Sequence, residues 1–176
     1  MNYNEKVFER QYPVVVFFVQ HLAYYRGLQV NYNTINNHLE FWRATCDAHL
    51  KLATVAWCNV FGTYKEDIHW TKIPNRKIAV QASKKFRELV LAHTGMTRKQ
   101  WKTYHQELLT FRNRYVAHLD QNKPFNKPVP FFDAALQVAS AYQEWAIELI
   151  KPVILNQPTL ISLYEKWEAE ARSVAA

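Results

Sequence analysis

The segment Arg112-Asn113-Arg114-Tyr115-Val116-Ala117-His118 brings two guanidiniums, a carboxamide and an imidazole into two turns of chain. A guanidinium donates a forked pair of hydrogen bonds to a phosphate or a carboxylate, and an imidazole takes up or gives away a proton near neutral pH. On a helix stepping about 100° per residue, with Tyr115 at the centre of the apolar stripe, Leu108 falls near the same line. Arg112 then lies about 60° to one side of that line and His118 about 60° to the other. Asn113 points nearly opposite, and Arg114 lies beyond His118, both placed for solvent or a charged ligand. Each residue also has a plain reading. A salt bridge to a carboxylate on a neighbouring helix accounts for Arg112, with its stem over apolar surface, and a favourable place in the helix dipole accounts for His118.

Other reactive groups are weaker candidates. The chain has seven histidines, but a bundle-type di-metal site needs paired Glu-x-x-His motifs with further carboxylates. Only Glu66-Asp67-Ile68-His69 fits, once, so no metal site is expected. His21 and His49 lie on apolar faces, where a hydrogen-bonded core role is expected. There is no Gly-rich phosphate loop, Gly-x-Ser-x-Gly elbow or Cys-x-x-Cys pair, so nucleotide hydrolysis and serine-hydrolase chemistry lack support and no cofactor is implied. The aromatic residues, six Trp among them, recur at helical spacing and read as core more readily than as base-stacking platforms. His69-Trp70 either plugs its loop onto the bundle, the favoured reading, or closes over a ligand.

The elements that must position these groups are helices. Only three glycines occur in 176 residues, too few for the turns that short strands require. One helix is expected from Pro13 to a stop at Gly27, with a kinked extension back to a cap at Asn4. A second runs from Asn33 or Thr34 to Gly62 with apolar residues every three or four positions. A connecting loop covers Thr63 to Asn75. A third helix spans about Ile78 to His93 and ends at Gly95, and a fourth follows an N-cap at Thr97 and carries the Arg112 segment to Leu119. Three prolines then forbid helix over Asn122–Pro130. A fifth helix is expected over Phe132–Ile154 and a sixth from Pro158. The expectation is one all-α domain over residues 1–176, an antiparallel up-and-down bundle of five or six helices.

The net charge of +7 and pI near 9.4 permit an anionic partner such as nucleic acid. Cys46 and Cys58 sit on one expected helix about 18 Å apart, too far for a disulfide. A reduced, cytoplasmic chain is the simpler expectation. No signal peptide is evident at the N-terminus, and no apolar run approaches the length of a membrane span.

Arg112 followed by polar Asn113 and, after five intervening positions, by His118 resembles the signature of the HEPN superfamily. Val116-Ala117-His118-Leu119-Asp120 is similar to the surroundings of that histidine in HEPN proteins of phage abortive infection. The resemblance implies a metal-independent endoribonuclease, a toxin or antiviral effector whose site forms across a homodimer, with Arg112 and His118 catalytic. Asn113 would support them and Arg114 would contact phosphate. Lys123 and Lys127, in the Pro-rich connector after His118, could touch RNA as well, although a stiff connector is their plainer role. Some HEPN toxins carry a Tyr two residues after the His, which a partner antitoxin modifies; Asp120 stands there, so an antitoxin of another type is the one left open. The second implied reading is a non-catalytic HEPN module that binds nucleotide or RNA or mediates assembly.

Overall fold

The computed structural model describes residues 2–30, 39–116, 128–150 and 157–174. It is an all-α bundle of six helices: α1 (Glu5–Val30), α2 (Leu39–Phe61), α3 (Ala79–Thr94), α4 (Arg98–Phe111), α5 (Asp133–Ile150) and α6 (Leu160–Val174). A single 3-10 turn, Trp70–Lys72, interrupts the loop between α2 and α3, and a π-helical turn, Arg112–Val116, continues α4. The sole extended pairing among the described residues is an isolated bridge between Tyr3 and Pro74.

Local chemistry explains most boundaries. The Asn4 side chain accepts from the Val7 N–H at the start of α1. Thr97 and Gln100 form a reciprocal capping box at the start of α4, satisfying donors that the helix leaves orphaned. Gly95, with φ of 65°, closes α3 in the left-handed conformation that a side chain would strain. At α6 the cap comes from across the fold: the buried Gln143 accepts from Leu160 N–H at 2.8 Å and donates to the Pro158 carbonyl.

Two expectations about α1 need correction. Gly27 does not stop the helix, which continues to Val30. Glycine is required there because α6 crosses against it: a Cβ would stand 2.6 Å from Ala171 Cβ and 2.6 Å from the Glu168 carbonyl. Pro13 does not open the helix either but lies within it. The expected start of α2 at Asn33 or Thr34 and the expected end of α5 at Ile154 lie outside the described residues.

One buried cluster runs from Val15 on α1 to Tyr164 on α6. Trp57, Phe61, Phe86, Tyr142 and Trp145 form its aromatic centre. Trp145 donates its indole N–H to the Ala82 carbonyl at 3.0 Å, which fixes α5 against α3. Trp70 is driven into the same cluster, 4.5 Å from Phe86 and edge-on to Trp145. The α2–α3 loop is thus plugged onto the bundle, in agreement with the favoured expectation for His69-Trp70.

No helix among the described residues is long and apolar enough to cross a membrane.

Candidate functional site

Helix α4 presents Trp101, Tyr104, Leu108 and Phe111 inward, and the chain leaves α geometry immediately after Phe111. Over Arg112–Val116 the bonding lengthens to that of a π-helix, a deformation that recurs at functional sites. The 100° step used to place Arg112 and His118 on two shoulders of one stripe therefore ends where the motif begins.

Two carboxylates from distant segments hold this turn. Tyr115 donates its phenolic proton to Asp47 on α2, and burial together with that carboxylate pushes the phenol up to about 12. Asp47 also pairs with Lys51 at 2.6 Å, and the Lys51 ammonium lies over the Tyr115 ring. On the other side Arg112 donates to Glu66, in the α2–α3 loop, at 3.3 Å. Both partners are half-buried, with 26% and 33% of their side chains exposed. Asn113 and Arg114 are exposed, as the helical placement anticipated. The salt-bridge reading of Arg112 is thus realised, with a loop carboxylate in place of one on a helix. His118, Lys123 and Lys127 lie outside the described residues, as does Asp120.

Sequence reasoning gave no role to three further residues of α4. Arg98, Lys102 and His105 follow at four and three positions, with Arg112 seven beyond, so they share one side of the helix with it. The α2–α3 loop lies against this side. His105 donates its Nε2 proton to the carbonyl of Phe61 at 2.7 Å, capping an acceptor that the end of α2 leaves without an intrahelical partner. His69, 5% exposed, accepts at Nδ1 from the Thr71 backbone N–H. Burial, then the nearby His105 and Lys72, lower its pKa to about 4. Its signal in the sequence was its place beside Trp70 in a long loop. His105 and the cations could have been found from their spacing with Arg112, which was masked by the stronger apolar pattern of the same helix.

No group of three or more His, Cys, Asp or Glu suited to a metal ion occurs among the described residues. No protein-family model, curated protein or solved structure matches the chain.

Proposed function

We propose that the chain is a homodimeric, metal-independent endoribonuclease of the HEPN type, a toxin or abortive-infection effector acting on RNA in the cytoplasm. The observation that supports this reading most is the π-turn starting at Arg112, which breaks the helix at the motif and presents Asn113 and Arg114 to solvent. Arg112 meets Glu66 through one hydrogen bond, not a bidentate pair, and also contacts the Cys58 thiol; exchanging the half-exposed carboxylate for a phosphate carries a modest cost.

In the proposed reaction the ribose 2′-oxygen attacks phosphorus while its proton passes to one neutral His118. The bond to the 5′-oxygen breaks, and that oxygen takes a proton from the second copy's protonated His118. The products are a 2′,3′-cyclic phosphate and a 5′-hydroxyl. Arg112 neutralises charge gathering on the phosphate oxygens. Asn113, Arg114, Lys123 and Lys127 bind the RNA backbone, and a partner antitoxin of unassigned type restrains the activity. The test is cleavage of mixed-sequence RNA by purified protein in EDTA. Loss of activity on the order of 100-fold or more in Arg112→Ala and in His118→Ala, with the fold and the dimer intact, is the expected result. An inactive wild type, or an active monomer, overturns the reading.

The Arg112–Glu66 pair favours a second reading, a non-catalytic module that binds nucleotide or RNA or mediates assembly. Glu66→Gln separates the two. Catalysis requires that cleavage survive or rise when Arg112 is released; the module requires that Glu66→Gln and Arg112→Ala lower stability alike while neither they nor the wild type cut RNA.

A further inference from the structure

Between the end of α2, the α2–α3 loop, α3 and α4 lies a cavity of about 600 Å³, within the usual size of a small-molecule site. Arg112 does not line it and stands about 10 Å further along α4 from His105. Its inner wall is aromatic. Phe61, Trp70 and Phe86 are buried there, while Trp101 is half-buried and keeps part of its ring open to the cavity.

The rim is cationic: Lys84 and Arg87 from α3 stand with Arg98 and Lys102 from α4. A single carboxylate, Glu88, is among the lining residues, 3.9 Å from Lys84. Arg87 also lies over the Trp70 ring, but neither it nor Arg98 nor Lys102 has an ion-pair partner among the described residues. Exposed cations gathered around an apolar depression focus a positive potential that an anion relieves.

The polar groups of the wall are complementary. His69 Nδ1 accepts from the Thr71 backbone N–H and lies 2.7 Å from the Thr71 hydroxyl; with that hydroxyl donating as well, the ring proton is on Nε2, a donor. Because His105 Nε2 donates to the Phe61 carbonyl, Nδ1 is the ring nitrogen left to accept. One donor and one acceptor beside an indole suit the edge of a planar heterocycle, and the rim suits a phosphate attached to it. An aliphatic anion would use the rim and leave the two imidazoles unmatched.

We propose that this cavity binds a nucleotide unit, with its base against Trp101, the base edge towards His69 and His105, and its phosphate at Arg98 and Lys102. The site is separate from the Arg112 segment, and the proposal stands whether or not that segment is catalytic.

The test is titration of tryptophan fluorescence in the full chain with AMP, GMP, CMP and UMP, and with an eight-nucleotide RNA. Ribose 5-phosphate and inorganic phosphate are the controls lacking a base. Saturable quenching by at least one nucleotide, weakened ten-fold or more in Arg98→Ala/Lys102→Ala and unchanged in Arg112→Ala, is the expected result. Tighter binding of a mononucleotide than of the RNA identifies a free nucleotide as the occupant, and the reverse identifies a strand unit; either supports the site. Both rim residues are exposed, so the double variant should fold, and its far-ultraviolet spectrum checks this. No quenching by any nucleotide, equal binding of ribose 5-phosphate, or wild-type binding by the double variant overturns the proposal. RNA cleavage retained by that variant would show that the two sites fail or succeed separately.

Discussion

His21 on α1 and His49 on α2 face each other with their Nδ1 atoms 2.6 Å apart. A contact that short requires one nitrogen to donate and the other to accept, so the pair holds a single proton between the two nitrogens. Phe17 and Tyr24 pack around the rings. Burial, then the neighbouring His49, lowers the His21 pKa to about 4, and burial lowers that of His49. A histidine with a depressed folded-state pKa favours the folded state while neutral, and that stability is lost as pH falls from the unfolded value near 6.5 towards 4. The thermal midpoint should therefore fall across this window. His49→Gln should make the dependence shallower, leaving the parts due to the burial of His21 and to His69; an unchanged slope would remove the pair as its cause.

Tyr104 joins three parts of the fold through one oxygen. Its hydroxyl donates to the Phe131 carbonyl at 2.7 Å and accepts from the Ala135 N–H at 3.1 Å, serving one of the first N–H groups of α5. Tyr104→Phe strands the buried Ala135 N–H and removes the donor to the part-buried Phe131 carbonyl, and should cost about 1–3 kcal/mol. Urea denaturation measures this, and a cost within error of zero would show that water replaces the hydroxyl.

Gly27→Ala should destabilise by about 1–3 kcal/mol, since the obstruction includes the Glu168 backbone as well as Ala171. The companion Gly27→Ala/Ala171→Gly relieves only the side-chain clash and should recover part of the loss. A neutral single variant would mean that α1 and α6 are packed less closely than described.

Both thiols should resist modification in the native protein. Cys58 is fully buried and its pKa is pushed up to about 11 by burial, and burial raises that of Cys46 as well. Thiolate is the reactive form, so a thiol reagent near neutral pH should modify neither until the chain unfolds. Rapid labelling of one equivalent would contradict this packing.

The Arg112–Glu66 pair, half-exposed on both sides, should contribute no more than about 1 kcal/mol in a double-mutant cycle of Arg112→Ala and Glu66→Gln. A coupling several times larger would argue for a structural arginine that is never released.

The helices were legible wherever their determinants were local. Gly95, the Thr97/Gln100 box and the apolar period of α2 are written in neighbouring residues, and the expected boundaries there agree with the structure to within a residue or two. Gly27 was misread because a glycine that ends a helix and one that admits a crossing helix look alike in sequence. The second is decided by Ala171, far along the chain. The π-turn was illegible for the same reason: its anchors, Asp47 and Glu66, lie 68 and 46 residues away from Tyr115 and Arg112. Within the cavity each imidazole's role depends on a partner, and for His105 that partner is a carbonyl on another helix.

The π-turn also bears on how this chain tolerates gain and loss of residues. A π-turn holds one residue more per hydrogen-bonded ring than an α-turn, so Arg112–Val116 carries one residue beyond what α geometry would hold. Removing one of these five would let α geometry run on from Phe111 and turn everything that follows by about 100° about the axis. Relatives differing here by a single-residue gap would carry the same motif letters aimed in another direction, and a shared spacing between arginine and histidine would not guarantee a shared site.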